Sequence, residues 1–349
     1  MTTFRVTLSP SGHAFDAEAD RNVLQSALDA GIALPYSCRT GNCRTCRARV
    51  VSGEVDHGKT KPEYLPDDER AAGFALLCQA QPRSDLAVEV TEIAMESVKP
   101  RTLPCRVVRL EKPAPDIAIL ELRLPPNEKF RFVAGQYVEF ILEDGKRRAY
   151  SIANAPKAEY TVLIELHVRH SPGGLFTDRV FSSLKERDLM KIEAPLGTFV
   201  LRESSEAPIV FVAAGTGFAP IKSIIEDALR KGIQKTRPMV LYWGARQLED
   251  VYMADVPLGW ARDEPNFRFV PVLSEPAPDS GWTGRTGFVH NAVMEDIPDL
   301  SGHEVYACGT PLMVEAAKRD FAVLCGMRED AFFADEFITE AERQSSVLK

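Results

Sequence analysis

The chain has 349 residues, of which 45% are hydrophobic, and this length predicts two or three domains with packed cores. Its formal net charge of −8 makes nucleic acid and anionic membranes poor partners for the surface as a whole. No apolar run approaches the roughly 20 residues that span a bilayer, and the N-terminal stretch lacks a signal-peptide core. We therefore expect a cytoplasmic protein, and we take it to be a monomer.

The first predicted domain covers residues 1–97 and mixes helix and strand. A strand over TFRVTL is followed by a helix over NVLQSALDAGI, which comes directly before a cysteine-rich loop. Two further strands are predicted over ARVVSGEV and LAVEVTEI. The linker ESVKPRTLP has two prolines and little hydrophobic periodicity, so we place a domain boundary near residue 98.

Four of the seven cysteines lie in this domain, with the spacing C-x4-C-x2-C and a fourth further on. Plant-type [2Fe–2S] proteins have this spacing, and four thiolates hold their iron. Small residues such as Gly41 allow backbone N–H groups to point at the sulfurs. The alternative is a structural zinc site, which usually has two short cysteine pairs, whereas this chain has one. The predicted iron ligands are Cys38, Cys43, Cys46 and Cys78.

The stretch LPYSCRTGNCRTCRARVVSG resembles the plant-type ferredoxin family, and the resemblance extends over residues 1–95. It implies a β-grasp-like α+β domain that carries one electron at a time. Four arginines beside the ligands would stabilise a reduced cluster and offer a docking site to an acidic protein electron acceptor. An ordinary solvated surface is the alternative for these residues, which are Arg39, Arg44, Arg47 and Arg49.

The remaining chain predicts two more domains. Over residues 98–204, the segments RVVRLEKP, IAILELRL, QYVEFIL and YTVLIELHV indicate an antiparallel β-barrel or sandwich. From residue 205 to 349, strands such as APIVFVAAG and PMVLYWGAR alternate with the helix PIKSIIEDALRKG. The stretch EVYACGTPLMVEAAKRDFAVLCG repeats the strand–turn–helix pattern, which favours a parallel α/β sheet.

The tetrapeptide Arg148-Ala149-Tyr150-Ser151 resembles the flavin motif of the ferredoxin–NADP reductase family. The resemblance implies that Arg148 pairs with the flavin diphosphate, that Tyr150 packs on the isoalloxazine and that Ser151 hydrogen-bonds near flavin N5. Four residues alone can match such a motif by chance on any barrel strand, and this is the alternative interpretation. The position of the motif between cluster and nucleotide segments favours FAD over FMN.

The stretches LHVR and GGLFT match the same family further along the barrel domain. Glycine-rich turns at a helix start expose backbone N–H groups, which suit an anion. The resemblance implies that these stretches bind the other side of the flavin diphosphate. The cofactor-binding residues implied here, with Ala149, are His167, Val168, Gly173, Gly174 and Thr177.

A strand followed by Gly215-Thr216-Gly217 and Pro220 opens the last domain. The third glycine of the G-x-G-x-x-G fingerprint is missing, so this stretch alone is a weak indication of dinucleotide binding. The two glycines still allow a backbone to approach a diphosphate, and a proline suits a first helical turn. A plain α/β turn is the alternative. The stretch resembles the G-T-G-x-A-P element of the reductase family, which implies binding of a nicotinamide nucleotide.

The segment CGTPLM resembles the family's C-G-x-P-x-M, whose cysteine lies beside the nicotinamide; core packing is the alternative. The stretch FFADEF resembles the family's acidic–x–aromatic ending, in which the aromatic covers the flavin; a hydrophobic tail plug is the alternative. The resemblance implies Asp335 as the acid and Phe337 as the aromatic. The catalytic residues implied are Ser151, Cys308, Asp335 and Phe337, and Gly309 joins Cys308 in cofactor binding.

Charges after two strands of the last domain predict NADH rather than NADPH. Arg246 is followed by Glu249 and Asp250, and Glu275 follows the next strand. Carboxylates repel the 2′-phosphate of NADPH, whereas a carboxylate can accept a hydrogen bond from the ribose 2′-hydroxyl of NADH. We therefore predict Arg246 and Asp250 as nucleotide-binding residues.

With these motifs, the whole chain is identified as a member of the ferredoxin-first, FAD- and NAD-binding reductases of the ferredoxin–NADP reductase superfamily. The resemblance implies an NADH:acceptor oxidoreductase that passes hydride to FAD and single electrons through [2Fe–2S] to a terminal oxygenase component. The alternative acceptor is a CDP-4-keto-6-deoxyglucose-3-dehydrase, because CDP-6-deoxy-delta-3,4-glucoseen reductases share this architecture. A cluster-based redox sensor is a third hypothesis, which three assembled cofactor motifs disfavour.

Overall fold

The computed structural model of the protein describes residues 2–94 and 99–337. The chain forms two compact units: the described residues up to Arg101 with Pro195–Phe199, and Thr102–Ala194 with the described residues from Val200 onward. The predicted boundary near residue 98 lies outside the described residues. No helix in the described part of the chain has both the length and the apolar composition needed to cross a bilayer.

The first unit is built on a mixed five-stranded sheet with two short helices. The strand order is β2-β1-β7-β3-β5, with β1 parallel to β7 and the other neighbours antiparallel. The pair β4-β6 forms a separate ribbon. The elements in chain order are β1 (Thr3–Ser9), β2 (Ala14–Glu18), α1 (Val23–Asp29), β3 (Arg47–Ser52), β4 (Val55–Asp56), α2 (Asp67–Ala71), β5 (Phe74–Leu76), β6 (Gln81–Pro82) and β7 (Leu86–Glu89).

Local sequence explains where elements of this unit begin and end. Helix α1 starts after Asn22, whose side chain accepts a hydrogen bond from the Gln25 N–H at 2.8 Å. The strand predicted over ARVVSGEV is broken at Gly53, which has φ +95°. A Cβ there would lie 2.1 Å from the Asp85 carbonyl oxygen, so the close approach of two backbones requires glycine.

The next part of the chain forms a six-stranded antiparallel sheet that closes into a barrel. The strand order is β11-β10-β13-β8-β9-β12, and an antiparallel bridge between Ile152 and Leu166 joins the two edges. Apolar residues from all six strands fill the interior together with Phe176 and Val180. The elements are β8 (Arg101–Ala114), β9 (Ile117–Arg123), β10 (Tyr137–Ile141), β11 (Arg147–Ser151), β12 (Leu163–Arg169), α3 (Leu175–Ser182) and β13 (Leu189–Leu196).

The last part of the chain forms a six-stranded parallel sheet with helices in its connections. The strand order is β17-β16-β15-β14-β18-β19. Strands β14 and β18 are neighbours, so their carboxyl ends share one edge, where such folds bind ligands. The elements are β14 (Ile209–Ala214), α4 (Phe218–Lys231), β15 (Met239–Ala245), α5 (Asp255–Asp263), β16 (Phe267–Leu273), β17 (Arg285–Thr286), α6 (Val289–Asp296), β18 (Glu304–Gly309), α7 (Pro311–Cys325) and β19 (Phe332–Glu336).

The predicted fold class is confirmed in all three parts: a small mixed sheet, an antiparallel six-stranded sheet and a parallel sheet. The helix predicted over PIKSIIEDALRKG begins two residues earlier, at Phe218. It ends where Gly232 adopts φ +76°, a common helix stop.

Candidate functional site

The cysteines predicted as iron ligands face hydrogen-bond donors in the first unit. The Cys38 N–H lies 3.5 Å from Cys43 Sγ, and the Thr40 N–H lies 3.4 Å from Cys38 Sγ. The side-chain amide of Gln79 lies 3.9 Å from Cys78 Sγ. Such donors stabilise thiolate sulfur, so the loop favours these cysteines as negatively charged metal ligands.

Turns with unusual backbone angles bring the cysteine loop against the segment that carries Cys78. Gly41 has φ +84°, and a Cβ there would lie 2.9 Å from Gln79 Cγ. Arg39 and Arg44 have φ values of 56° and 60°, which residues other than glycine seldom adopt. Backbone strain of this kind is concentrated at functional sites, so the loop conformation supports a binding role.

The thiols form two pairs. The Cys38 thiol interacts most strongly with that of Cys43, and the Cys46 thiol with that of Cys78. In the described part of the chain, no three His, Cys, Asp or Glu side chains converge on a point that one metal ion could occupy. A structural zinc ion needs four ligands around one point, whereas a [2Fe–2S] cluster needs two thiolates on each iron. The arrangement therefore fits the cluster better than the zinc alternative.

Two of the four arginines beside the cysteines are bonded to one acidic side chain. Arg44 Nη2 lies 2.6 Å from Glu69 Oε1, and Arg47 Nε lies 2.7 Å from Glu69 Oε2. The Arg47 guanidinium also lies 3.6 Å from the centre of the Phe74 ring, whereas Arg49 is exposed. Because Glu69 offsets part of the positive charge, this surface is less basic than the sequence indicates.

The predicted flavin tetrapeptide lies on β11, where aromatic contacts order it. The Tyr150 ring is 5.8 Å from the Phe140 ring and 5.0 Å from the Phe176 ring, between centres. Phe140 is the cross-strand partner of Arg148 and lies 4.3 Å from Phe176. Since Phe176 belongs to the first turn of α3, these contacts bring Arg148 close to the start of that helix.

Helix α3 starts at a glycine turn that suits an anion. Gly174 is the N-cap, and no side chain caps the helix. Gly173 has φ +82°, and a Cβ on Gly174 would lie 2.7 Å from Thr177 Oγ1. The Thr177 hydroxyl donates to the Ser171 carbonyl at 2.8 Å and fixes the turn. The N–H groups of the first turn suit an anion, although the Gly173 N–H already donates to Asp178 Oδ2 at 3.1 Å. The Arg148 guanidinium donates to the Arg147 carbonyl at 2.8 Å.

Gly215–Gly217 form a short 3₁₀ turn between β14 and α4. Gly215 has φ +53°, and its carbonyl accepts a hydrogen bond from Trp243 Nε1 at 3.0 Å. A Cβ on Gly217 would lie 2.1 Å from the Cys308 carbonyl oxygen. Helix α4 has no side-chain N-cap, so the turn fits an anion at its amide groups.

Cys308 and the acidic residues near the chain end are neighbours on β18 and β19. Cys308 pairs in register with Asp335 and Gly309 with Glu336, and the Phe337 N–H donates to the Gly309 carbonyl at 2.8 Å. Cys308 and Asp335 are both buried. Burial and the charges of Asp335 and Glu336 raise the pKa of the Cys308 thiol well above its usual value. The thiol is therefore protonated at neutral pH.

Arg169, at the end of β12, stands over the glycine turn. Its Nη1 lies 3.0 Å from the Cβ position of Gly215. Its Nε pairs with Asp116 Oδ2 at 2.8 Å, and its Nη2 lies 3.9 Å from Asp250 Oδ1. In the sequence this arginine is the last residue of the LHVR stretch, which the resemblance assigns to the flavin diphosphate; its position over the glycine turn is not predicted.

The residues predicted to select the nicotinamide nucleotide follow β15 and β16. The Glu275 N–H donates to the Arg246 carbonyl at 3.0 Å, so two side chains of opposite charge start from neighbouring backbone positions. Asp250 Oδ2 accepts a hydrogen bond from the Gln247 N–H at 3.0 Å and closes a short turn. One oxygen of the predicted ribose acceptor is thus also a structural cap.

His167 is buried in a hydrogen-bonded chain that sequence reasoning does not predict. Its Nε2 lies 3.0 Å from Glu165 Oε1 and its Nδ1 lies 2.8 Å from the Tyr252 hydroxyl. Burial lowers the pKa of His167, so the ring is neutral. A carboxylate can only accept, so Nε2–H donates to Glu165 and Nδ1 accepts from Tyr252. Lys222 extends the chain with its Nζ at 3.1 Å from the same Glu165 oxygen.

Three stretches of the chain match known domain families. Residues 6–83 match the 2Fe-2S iron-sulfur cluster binding domain, residues 104–201 the oxidoreductase FAD-binding domain and residues 211–319 the oxidoreductase NAD-binding domain. The three matches follow the order of the mixed, antiparallel and parallel sheets.

The chain is similar along its length to named reductases. It is 43% identical over 337 residues to the CDP-6-deoxy-L-threo-D-glycero-4-hexulose-3-dehydrase reductase of Yersinia pseudotuberculosis, covering 96% of this chain and 99% of the relative. This chain belongs to the iron–sulfur flavoprotein reductases. The reductase is also 34% identical to terephthalate 1,2-dioxygenase reductase component 1 of a Comamonas species, with 96% and 97% covered. An Amycolatopsis cytochrome P450 reductase crystal structure matches with a TM-score of 0.78, 36% identity, and 96% and 98% coverage.

The reductase is an NAD(P)H-dependent oxidoreductase with domains for a [2Fe–2S] cluster, FAD and NAD. The predicted family, enzyme class and cofactors are thereby confirmed. Relatives are named as reductases or reductase components of dehydrase and oxygenase systems, which implies a protein electron acceptor.

Proposed function

We propose that this reductase passes electrons from NADH through FAD and its [2Fe–2S] cluster to the dehydrase that acts on a CDP-4-keto-6-deoxyhexose. The observation that carries the proposal is the 43% identity to a dehydrase reductase over nearly all of both chains, against 34% to the terephthalate dioxygenase component. Sequence reasoning favours an oxygenase and holds the dehydrase as the alternative. The comparisons support the alternative better.

The residues of this chain would bind, orient and shield the cofactors, and bound FAD and cluster would supply the redox chemistry, which is hydride acceptance followed by transfer of single electrons. The glycine turn at Gly215–Gly217 and the Arg169 guanidinium would bind the nicotinamide nucleotide diphosphate. Arg148 and the first turn of α3 would bind the flavin diphosphate. The other proposed cofactor contacts are Ala149, Tyr150, His167, Val168, Gly173, Gly174, Thr177 and Gly309, with the iron ligands Cys38, Cys43, Cys46 and Cys78.

Four residues are assigned to the reacting centre. Ser151 is buried at the end of β11, and Cys308 is buried at the end of β18. We assign both to orient the reacting rings. Asp335 would keep the Cys308 thiol protonated through its charge, and Phe337 would shield the flavin.

NADH is the proposed electron donor. The exposed side chain of Glu275 and the acidic pair Glu249–Asp250 flank Arg246, and a 2′-phosphate would be repelled by these carboxylates. Comparison of kcat/KM for NADH and NADPH tests this choice. A preference for NADPH of more than about tenfold, or 1.4 kcal/mol, contradicts it.

The acceptor is proposed to dock at the arginine rim of residues 39, 44, 47 and 49, beside the cluster. Exposed Arg49 supports the proposal, while the Glu69 pairs limit the charge available from Arg44 and Arg47. We also propose domain boundaries after residues 97 and 204.

The acceptor is tested by anaerobic reconstitution with two purified partners. One is a CDP-4-keto-6-deoxyhexose dehydrase with its nucleotide-sugar substrate, and the other is the oxygenase component of a terephthalate dioxygenase. We expect NADH-dependent turnover with the dehydrase at least about tenfold faster than with the oxygenase. Cys46→Ser is the control, because it removes an iron ligand and should abolish turnover while NADH still bleaches the flavin. Turnover with the oxygenase alone would establish the other acceptor.

A further inference from the structure

Helix α4 carries a buried lysine that contacts the segment directly after the flavin tetrapeptide. Lys222 is only 5% exposed. Its Nζ lies 3.1 Å from Glu165 Oε1, 2.8 Å from Glu226 Oε1 and 3.4 Å from the Ala153 carbonyl oxygen. A buried ammonium group needs such partners, and Ala153 stands two residues after Ser151.

The same face of α4 binds the next two residues of that segment. The Ser223 hydroxyl donates to the Asn154 carbonyl at 2.8 Å. Glu226 Oε2 accepts a hydrogen bond from the Ala155 N–H at 3.1 Å. Every residue of 153–155 is therefore held by a side chain of this helix.

At the centre of this contact, Glu165 and Lys222 both remain ionised although they are largely buried. Burial opposes the ionisation of Glu165, but the hydrogen bond from His167 and the charge of Lys222 outweigh it and lower its pKa to about 2. Burial likewise opposes the charge of Lys222, but Glu165 and Glu226 raise its pKa. Removing one partner leaves the other buried and charged, which is far more costly than losing an exposed pair.

This contact joins the two parts of the chain on which hydride transfer depends. Helix α4 follows directly on Gly217, so displacement of the helix displaces the nucleotide-binding turn. The segment 153–155 begins two residues after Ser151, the last residue of the flavin strand β11. We propose that Lys222 is a positioning residue that keeps this turn and this strand in register for hydride transfer. The inference rests on the proposed function, since it uses the roles given there to Gly217 and Ser151.

Lys222→Met tests the proposal, and Lys231→Met is the matched control. Lys231 lies on the same helix and pairs with Glu203 and Asp227, away from the segment 153–155. In anaerobic stopped flow with the holoenzyme, we expect Lys222→Met to slow flavin reduction by NADH about 10- to 100-fold. The Kd for NADH and the FAD content should change less than about threefold. A primary isotope effect with NADH deuterated at C4 should be retained or larger, because the slowed step is hydride transfer itself.

Two further measurements separate positioning from a loss of folding. The Ala155 amide should exchange hydrogen faster in Lys222→Met than in the wild type or Lys231→Met, since its acceptor Glu226 loses its partner. Ser223→Ala removes one hydroxyl from the same contact and leaves no buried charge unpaired. If Lys222→Met does not fold, the rate of hydride transfer in Ser223→Ala therefore tests the proposal instead. We expect it to slow hydride transfer about two- to fivefold.

Three results would overturn the proposal. The first is a wild-type rate of hydride transfer in Lys222→Met or Ser223→Ala while Ala155 exchanges faster. The second is an equal slowing in Lys231→Met. The third is a raised Kd for NADH with an unchanged limiting rate, which would make Lys222 a binding residue. Failure of the proposed function looks different, because the wild-type protein itself would then fail to be reduced by NADH or to reduce a dehydrase.

Discussion

The Cβ position of Gly217 lies 2.1 Å from the carbonyl oxygen of Cys308. No real side chain fits such a gap, so any residue larger than glycine must push α4 away from β18. Gly309 is restricted in the same way, since its Cβ would lie 2.8 Å from Ala214 Cβ. The turns after β14 and β18 therefore pack against each other through glycines, and the proposed nucleotide site would depend on that contact.

Gly217→Ala should impair use of NADH and leave the other cofactors bound. Overpacking of this kind costs about 1–3 kcal/mol, which corresponds to a fall in kcat/KM for NADH of about 5- to 150-fold. Steady-state kinetics with ferricyanide and the absorbance of FAD and cluster measure both effects. Gly302→Ala is the control, because nothing lies within 4 Å of that Cβ position. Wild-type kcat/KM in Gly217→Ala would disprove the steric argument.

Glu165→Gln should lower stability at neutral pH. The pKa of Glu165 in the folded protein is about 2, against an ordinary value of 4.5. Its charge therefore stabilises the folded state fully above about pH 4.5, and this contribution is lost as pH falls through about 2. The variant should lose up to about 3 kcal/mol at pH 7, and its stability should fall less steeply than that of the wild type below pH 4.5.

Tryptophan fluorescence measures this change, since all three tryptophans lie in the second unit. Denaturant titrations at several pH values give the free energy of unfolding of that unit. Asp263→Asn is the control, because its carboxylate is exposed and pairs only with the adjacent Arg262. It should leave the free energy of unfolding unchanged within experimental error. Parallel pH profiles for Glu165→Gln and the wild type would show that the buried charge contributes nothing.

Arg237→Met should be more damaging, because it removes a fully buried cation. Arg237 is 3% exposed and donates to Glu304 Oε2 at 2.9 Å and to the Arg202 and Ala207 carbonyls. Among the described residues, the side chain of buried Glu304 would keep the hydrogen bond from the Tyr306 hydroxyl and lose its cationic partner. We expect a loss of about 3–5 kcal/mol in the free energy of unfolding.

The double variant Arg237→Met/Glu304→Gln provides the internal check. Removing both charges avoids an uncompensated buried carboxylate, so part of the lost stability should return. Arg262→Met, at a side chain that is 76% exposed, should have almost no effect. A double variant no more stable than Arg237→Met alone would show that the ion pair is not the source of the loss.

Glu69→Gln should raise the reduction potential of the cluster. Its carboxylate pairs with Arg44 and Arg47 beside the proposed cysteine ligands, so its removal leaves their positive charge uncompensated. Net positive charge favours the reduced, more negative cluster. An EPR-monitored redox titration measures the potential, and Arg44→Gln should shift it in the opposite direction. Asp16→Asn, on the strand at the opposite edge of the sheet, is the control. Equal shifts in Glu69→Gln and Asp16→Asn would contradict the local effect.

The sequence predicts the elements that depend on neighbouring residues in the chain. Strand β14, its glycine turn and helix α4 form a continuous stretch whose hydrophobic pattern and glycines are local signals. The spacing of the first three cysteines is local in the same sense. Cys78 could be predicted as the fourth iron ligand because the plant-type spacing of the first three cysteines is followed by one more cysteine further along the chain.

The sequence does not predict contacts that side chains make across long separations. Nothing near Arg44 indicates that Glu69 will neutralise it, since helix α2 must first fold back onto the cysteine loop. Lys222 likewise occupies an ordinary polar position in an amphipathic helix. It becomes buried only because barrel residues such as Glu165 and Ala153 pack against that face, and helical periodicity carries no information about them.

The protonated state of Cys308 has a consequence for the durability of the enzyme. Reduced flavins generate peroxide in air, and peroxide attacks thiolates much faster than thiols. At the position proposed for Cys308, beside the reacting rings, an exposed and ionised cysteine would be oxidised early. Burial and the charges of Asp335 and Glu336 keep this sulfur as a thiol. The strand pairing that sets Asp335 and Glu336 beside Cys308 and Gly309 would thus protect this cysteine from oxidation as well as position it.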